Sequence, residues 1–318
     1  MIKRKIIQIA DSTMLVSLPR EWAKKNNLKK GDELELTAEE QRIIITSGVS
    51  ASRVCKADID VARMDRTSIM LIIRSLYRLG YDEIRMHFNK NTAYHYRTKS
   101  EKKITSIIHE EVRNLTGFEV MQQKEDFCEI KDMLEISRKE FDTAMRRVFM
   151  LFVDSAKDIS KGFKEDNKII IEAMEEKNET MIKFISYCLR ILNKAGHESS
   201  KKSKVYYHII ASFDIISDIF KYMAREYLAC NRKMSSHTIK TLENLTKALV
   251  LFHEFFYKFD TKKVVEFMEI RDVIKKSNRV SQKTATQQEI ALLNSAEQIL
   301  EIIKDLVEAR LGLEFCNE

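Results

Sequence analysis

Residues that interrupt helices are scarce in this chain. Among 318 residues there are one proline and seven glycines. Proline removes a helical hydrogen bond and glycine weakens helices through its backbone entropy, so long stretches without either residue favour helix. Apolar residues make up 44% of the chain, which is enough for more than one hydrophobic core. The sequence therefore predicts a mainly α-helical protein of two or three domains.

Residues 1–48 depart from this helical pattern. They contain four short β-rich runs, each bounded by turn residues: RKIIQIA, TMLVSLP, DELELT and RIIITS. Pro19 opens a short helix between the two pairs, and Gly31 and Asp32 form the turn into the second pair. So small a β module buries too little surface to be stable alone. The segment is therefore predicted to pair with a second copy.

The stretch MLVSLPREWAKKNNLKKGDELEL, residues 14–36, resembles the AbrB/SpoVT family of swapped-hairpin DNA-binding domains. Members of that family have a comparable order of strand, proline-started helix, Gly-Asp turn and strand. The resemblance covers about the first 47 residues. It implies that two interleaved copies form one barrel-like core, as a homodimer or part of a higher homo-oligomer, with basic side chains placed on DNA.

The charge of this segment agrees with that implication. Residues 1–30 hold eight basic and two acidic side chains, a net charge of +6, whereas the whole chain has a net charge of +7. Neutralisation of phosphates by Lys and Arg supplies most non-specific DNA affinity. The alternative is a solvated face on a domain that only dimerises. The candidate DNA-contacting residues are Lys3, Arg4, Lys5, Arg20, Lys24 and Lys25.

Residues 49–133 are predicted to be a linker followed by a small α+β segment. The apolar pattern lapses over residues 49–62, which are the predicted linker. After it, residues 66–79 and 101–115 have helical spacing, residues 83–88 are strand-like, and residues 119–131 suggest a hairpin. Gly80 and Gly117 lie just after the two helices, where glycine commonly ends a helix.

Residues 134–318 have helical apolar spacing almost throughout. Breaks near residues 162, 196–203, 231–236, 260–261 and 277–281 divide them into six long helices, predicted to form two three-helix bundles. One buried seam, with alternating spacings of four and three residues, consists of Ile209, Phe213, Ile216, Phe220, Met223 and Tyr227.

Acidic pairs in the first predicted bundle suggest a metal site. Asp214 and Asp218 are four residues apart, and like charges at this spacing repel each other. Asp154 and Asp158 have the same spacing on an earlier helix, so a divalent cation held by both pairs is one explanation. The alternative is an acidic stripe paired with Lys and Arg. That alternative is preferred for the last helix, which offers Glu297, Glu301 and Asp305.

The acidic motifs and the two sets of three helices resemble PhoU, a phosphate-signalling protein whose bundles carry metal motifs. The resemblance covers residues 134–313 and implies an iron- or zinc-type metal, or another divalent ion, in the first bundle. The whole order of segments also resembles archaeal phosphate uptake regulators. It implies a transcriptional regulator of phosphate uptake, with DNA and phosphate-transport or signalling proteins as partners.

Two other functions are compatible with the same fold. One is an accessory protein that docks on a phosphate transporter or signalling partner, with an N-terminal module that only dimerises. The other is an antitoxin, since AbrB-like modules also occur in toxin–antitoxin pairs. Antitoxin tails are usually short and poorly ordered, so a tail of some 180 helical residues argues against that role.

The sequence predicts no enzymatic activity. It contains no phosphate-binding glycine loop, no nucleophile elbow and no H-E-x-x-H helix, and its seven histidines are dispersed. A hydrolase that uses a carboxylate-bound metal remains the enzymatic alternative. The five scattered cysteines suggest a reducing compartment. No apolar run has the length of a membrane span or a signal-peptide core, so we expect a cytoplasmic protein without membrane insertion.

Overall fold

A computed structural model describes residues 3–9, 13–39, 42–47, 54–197, 199–230, 232–281 and 284–315. The chain forms two compact units, Met1–Val54 and Cys55–Glu318. The first contains short strands and one short helix, and the second is mostly helical. The predicted fold class is therefore confirmed. The predicted linker is partly wrong, because a strand begins at Lys56.

The first unit consists of two separate antiparallel hairpins. Strands β1 (Ile6–Ile9) and β2 (Thr13–Val16) pair with Ile7 opposite Leu15. The helix α1 (Arg20–Lys25) follows, and strands β3 (Leu34–Glu39) and β4 (Arg42–Ser47) form the second hairpin. All four predicted strands are present. In the described part of this unit, no hydrogen-bonded ladder joins the two hairpins.

The second unit begins with a four-stranded sheet of order β5-β6-β10-β9. Strands β5 and β6 are parallel and are connected by helix α2, whereas the other pairs are antiparallel. The sheet and its two helices are β5 (Lys56–Asp60), α2 (Arg66–Leu79), β6 (Glu83–His87), α3 (Ile104–Val112), β9 (Phe118–Gln123) and β10 (Phe127–Asp132). A small hairpin of β7 (Thr92–His95) and β8 (Ser100–Lys103) precedes α3.

Helix α2 has the predicted bounds because both of its ends are strongly marked. The Asp65 carboxylate accepts hydrogen bonds from the backbone N–H groups of Thr67 and Ser68, at 2.8 and 3.2 Å. Gly80 ends the helix in the left-handed conformation, with φ of 92°. Gly117 has φ of 88°, but α3 ends before it, so this glycine turns the chain into β9.

The predicted six long helices are present, with one short helix between the first two. Helices α4, α6 and α7 pack together, as do α8, α9 and α10. Contacts of α4 with α8 and of α7 with α10 join the two sets into one body. The seven helices are α4 (Phe141–Glu165), α5 (Lys168–Glu172), α6 (Met174–Ala195), α7 (Ser200–Ala229), α8 (Ser236–Tyr257), α9 (Thr261–Ser281) and α10 (Gln287–Glu314).

The predicted helix break near Gly162 is displaced. Helix α4 continues through Gly162 and ends at Glu165, and the next residue, Asp166, is left-handed with φ of 54°. A Cβ atom at Gly162 would lie 2.4 Å from the Ile171 Cδ1 atom, so the glycine allows α5 to pack closely against α4. The predicted seam of α7 is confirmed, since all six of its residues are buried.

A buried arginine joins the sheet to the helices. Arg190 of α6 is fully buried and donates hydrogen bonds to the Tyr77 carbonyl at 2.7 Å and to the Asp132 carboxylate at 2.5 Å. Its guanidinium also lies over the rings of Tyr77 and Phe118, at 4.7 and 5.0 Å from their centroids. The sheet before residue 133 and the helices after it thus belong to one compact unit.

Candidate nucleic-acid interface

The N-terminal unit has almost no core of its own. Among residues 3–54, none of the side chains whose exposure is described is buried. Large apolar side chains on both hairpins are at least 40% exposed. Exposed apolar surface of this kind commonly marks an interaction site. The side chains are Ile6, Ile7, Ile9, Met14, Leu15, Val16, Leu36, Ile43 and Ile44.

The most covered positions of this unit belong to the motif around α1. Leu18, Trp22, Leu28 and Leu34 are half-buried, which agrees with a packing role for Trp22. Pro19 caps the start of α1, and Gly31 has φ of 100°, a conformation that disfavours side chains with a Cβ atom. Asp32 completes the turn by accepting a hydrogen bond from the Lys29 backbone N–H at 2.7 Å.

All six predicted DNA-contacting side chains are exposed. Lys3, Arg4 and Lys5 lie immediately before β1, Arg20 is the first residue of α1, and Lys24 and Lys25 form its last turn. Within the described residues, none of the six forms an ion pair or a side-chain hydrogen bond. Their charges are therefore available to bind phosphates. Whether they contact DNA remains a prediction.

The structure does not gather the four predicted metal-binding aspartates into a site. Three of the four are paired with cations: Arg78 donates to Asp214 at 2.8 Å, Lys221 pairs with Asp218 at 2.5 Å, and Lys177 pairs with Asp158. Asp154 is exposed. No group of three or more His, Cys, Asp or Glu side chains among the described residues is arranged to hold a metal ion.

These four carboxylates therefore do not fit the metal implied by the PhoU resemblance. Lysine and arginine supply the opposite charge instead, which was the alternative interpretation of the sequence. The same holds on the last helix, where Arg271 and Lys275 pair with Glu301 at 2.6 and 2.9 Å. Arg78 could not have been assigned to Asp214 from the sequence, because 136 residues separate them.

Comparison with known families gives one result for the N-terminal unit. Residues 7–52 match the family described as "Antidote-toxin recognition MazE, bacterial antitoxin". The match supports the AbrB-like interpretation of this unit, both for its fold and for its tendency to oligomerise. It covers only a small part of the chain and gives no family for the helices.

Comparison with curated proteins and with solved structures gave no significant match. The resemblance of residues 134–313 to PhoU therefore rests on the sequence pattern alone. None of the described helices is both long enough and apolar enough to cross a membrane.

Proposed function

We propose that this chain is a dimeric DNA-binding regulator whose N-terminal unit reads DNA. The observation that carries the proposal is the basic, unpaired surface of a module that matches an AbrB/MazE-like family. In this proposal, two copies pack their exposed hairpin faces together and so complete one core. The basic side chains then lie together on one assembly and bind the DNA backbone.

The second unit is the proposed sensor or interaction domain. Its buried residues form one core that extends from Val61 to Leu313. Regulation of phosphate uptake is proposed from the resemblance of its helices to PhoU and from the order of the segments.

DNA binding is tested by titrating a fluorescent duplex of the protein's own upstream region at several salt concentrations. The triple variant Lys3→Ala, Arg4→Ala, Lys5→Ala is compared with unmodified protein. A dimer carries six of these side chains. If all six contact phosphates, the variant reduces the magnitude of the slope of log affinity against log salt by about five. Affinity at low salt falls with it.

A matched control carries Lys262→Ala, Lys276→Ala and Arg279→Ala. These exposed residues lie on α9 and remove the same charge from the second unit. The control is expected to keep the salt slope of the unmodified protein. If both triple variants lose the same affinity for the duplex, only the net charge of the protein matters. If neither the unmodified protein nor the control variant binds the duplex, the proposal is refuted.

Toxin neutralisation is a second candidate function, favoured by the description of the matching family. Against it, the chain after residue 54 is a large folded unit and not a short tail. Co-expression with the product of the neighbouring gene distinguishes the two functions. An antitoxin forms a stable complex with that product and suppresses its toxicity, whereas a regulator of this proposed type does neither.

A further inference from the structure

A charged cleft lies inside the second unit, apart from the proposed DNA-binding surface. Its volume is about 480 Å³, within the usual range for small-molecule sites. Helix α2 and the turn between β7 and β8 form one wall, and helices α6 and α7 form the other. Five basic side chains line it: Arg66, Arg74, Arg97, Lys221 and Arg225.

Of the five basic side chains, Arg74 pairs with Glu111 at 2.7 Å and Lys221 pairs with Asp218 at 2.5 Å, and neither of these acidic partners lines the cleft. Three carboxylates do line it. Two of these are already neutralised: Glu110 by Arg66 at 2.5 Å, and Glu175 by Arg225 through two hydrogen bonds of 2.5 and 2.9 Å. Arg97, by contrast, is exposed and has no ion pair within the described part of the chain. Its guanidinium is therefore available to an anionic ligand.

The pKa of His95, which lines the cleft, is affected by neighbouring positive charges. The pKa of His95 is lowered by burial first, and then by the charges of Arg66, Lys102 and Arg97, which outweigh the opposite effect of Glu110. His95 also shares a 2.8 Å hydrogen bond with Thr98 through its Nδ1 atom, which fixes the ring at the base of the turn that carries Arg97. Arg66 and Arg97, which both line the cleft, therefore lie close enough to His95 to affect it.

Two exposed tyrosines accompany the cations. Tyr96 is 71% exposed and Tyr222 is 52% exposed, yet both line the cleft. Lys221 and Arg225 lie 5.1 and 5.7 Å from the centroid of the Tyr222 ring. Exposed aromatic rings beside Arg and Lys can stack on a flat heterocycle while the cations bind its phosphate.

We propose that this cleft binds a nucleoside phosphate. The phosphate contacts Arg97, and the base stacks on Tyr222. A phosphate alone would leave the tyrosines unused, and a neutral aromatic ligand would leave Arg97 unpaired. The site goes beyond the proposed DNA binding, because all of its residues lie in the second unit and its test uses no DNA.

Isothermal titration calorimetry of the full chain tests this with AMP, ATP, adenosine and inorganic phosphate. We expect AMP or ATP to bind, and both adenosine and inorganic phosphate to bind at least tenfold more weakly. Arg97→Ala weakens nucleotide binding at least tenfold, as expected for loss of a charge-assisted hydrogen bond. Tyr222→Ala weakens it about tenfold through lost stacking.

Two matched controls are Arg63→Ala and Tyr207→Ala, which change partly exposed residues of the same types outside the cleft. Both are expected to bind nucleotide like the unmodified protein. Thermal unfolding of every variant checks that the fold is kept. The proposal is overturned if neither nucleotide binds, if inorganic phosphate binds as tightly as AMP, or if the cleft variants bind like the controls. None of these outcomes bears on DNA binding.

Discussion

The two compact units differ in where their stability comes from. In Met1–Val54, no side chain of described exposure is buried, and the apolar faces of both hairpins are open to solvent. In Cys55–Glu318, a continuous apolar core even encloses the guanidinium of Arg190. The first unit has a recognisable motif but lacks a core, whereas the second has a core but no matching family. A short motif can therefore be conspicuous where tertiary packing within one chain is weakest.

The largest effect is expected from removing the buried charge of the second unit. Arg190→Met removes the 2.5 Å partner of the Asp132 carboxylate, whose side chain is 4% exposed, and leaves only Lys194, at 3.4 Å. Breaking a buried ion pair on one side costs about 3–5 kcal/mol in the free energy of unfolding. Urea denaturation monitored by circular dichroism measures this loss.

Arg63→Met is the control for that experiment, because Arg63 is exposed and has no described partner. It is expected to change the free energy of unfolding by less than about 0.5 kcal/mol. If Arg190→Met changes the free energy of unfolding as little as Arg63→Met does, the second unit does not depend on its buried ion pair. The contrast between the two units would then fail.

A smaller effect is expected from a charge on the open hairpin face. Ile7→Asp places a carboxylate where a second copy is proposed to pack, and its desolvation raises the dimer dissociation constant at least about 100-fold. Analytical ultracentrifugation measures the change. The helical signal of the second unit is expected to remain, because its core does not include Ile7.

The matched control for the dimer experiment is Ile169→Asp, on α5 of the second unit. Ile169 is 78% exposed and Ile7 is 56% exposed, so exposure alone would predict that both positions tolerate the change. Equal dimerisation of both variants and the unmodified protein would contradict the proposed pairing of hairpins.

The smallest of the three expected effects is on how the stability of the second unit depends on pH. Burial alone would raise the pKa of Glu289, but hydrogen bonds from Ser235, Thr286 and Thr238 outweigh it and lower the pKa to about 2. Because the ordinary value is 4.5, Glu289 stabilises the fold fully above pH 4.5 and loses this contribution as pH falls towards 2.

Glu289→Gln is therefore expected to reduce the free energy of unfolding by about 2 kcal/mol at pH 7 and by much less near pH 2. Urea titrations at a series of pH values measure the difference. Glu308→Gln, which changes an exposed glutamate on the same helix, provides the comparison. A constant difference between unmodified protein and Glu289→Gln across this range would rule out the proposed role of the carboxylate.

The parts of the fold that could be predicted are those with local signals. Helix α2 is marked by Asp65 and Gly80, and the seam of α7 by its spacing. Strand β5 is hard to predict because its sequence, KADID, places only Ala57 and Ile59 between charged residues and so has little apolar signal. In the sequence, Gly162 looks like a helix end. A glycine is needed there because Ile171 packs against it, and local sequence does not reveal this tertiary contact.

The candidate sites also differ in whether local sequence signals indicate them. The six basic residues of the N-terminal unit were predictable, since they lie close together in the sequence and accompany a motif. The cleft was not, because Arg97 and Tyr222 are brought together only by the packing of the β7–β8 hairpin and α7. The aspartates were assigned to a metal because no pattern in the sequence reveals that Arg78 and Lys177 reach them.

The open hairpins also have a consequence for how the amount of protein relates to its action. If the N-terminal core is completed only by association, its folding follows mass action, and the fraction of competent units rises with concentration. Occupancy of an operator then increases more steeply than the protein level itself. A cell that changes its synthesis of this chain modestly would obtain a sharper response at the DNA, with no change in the second unit.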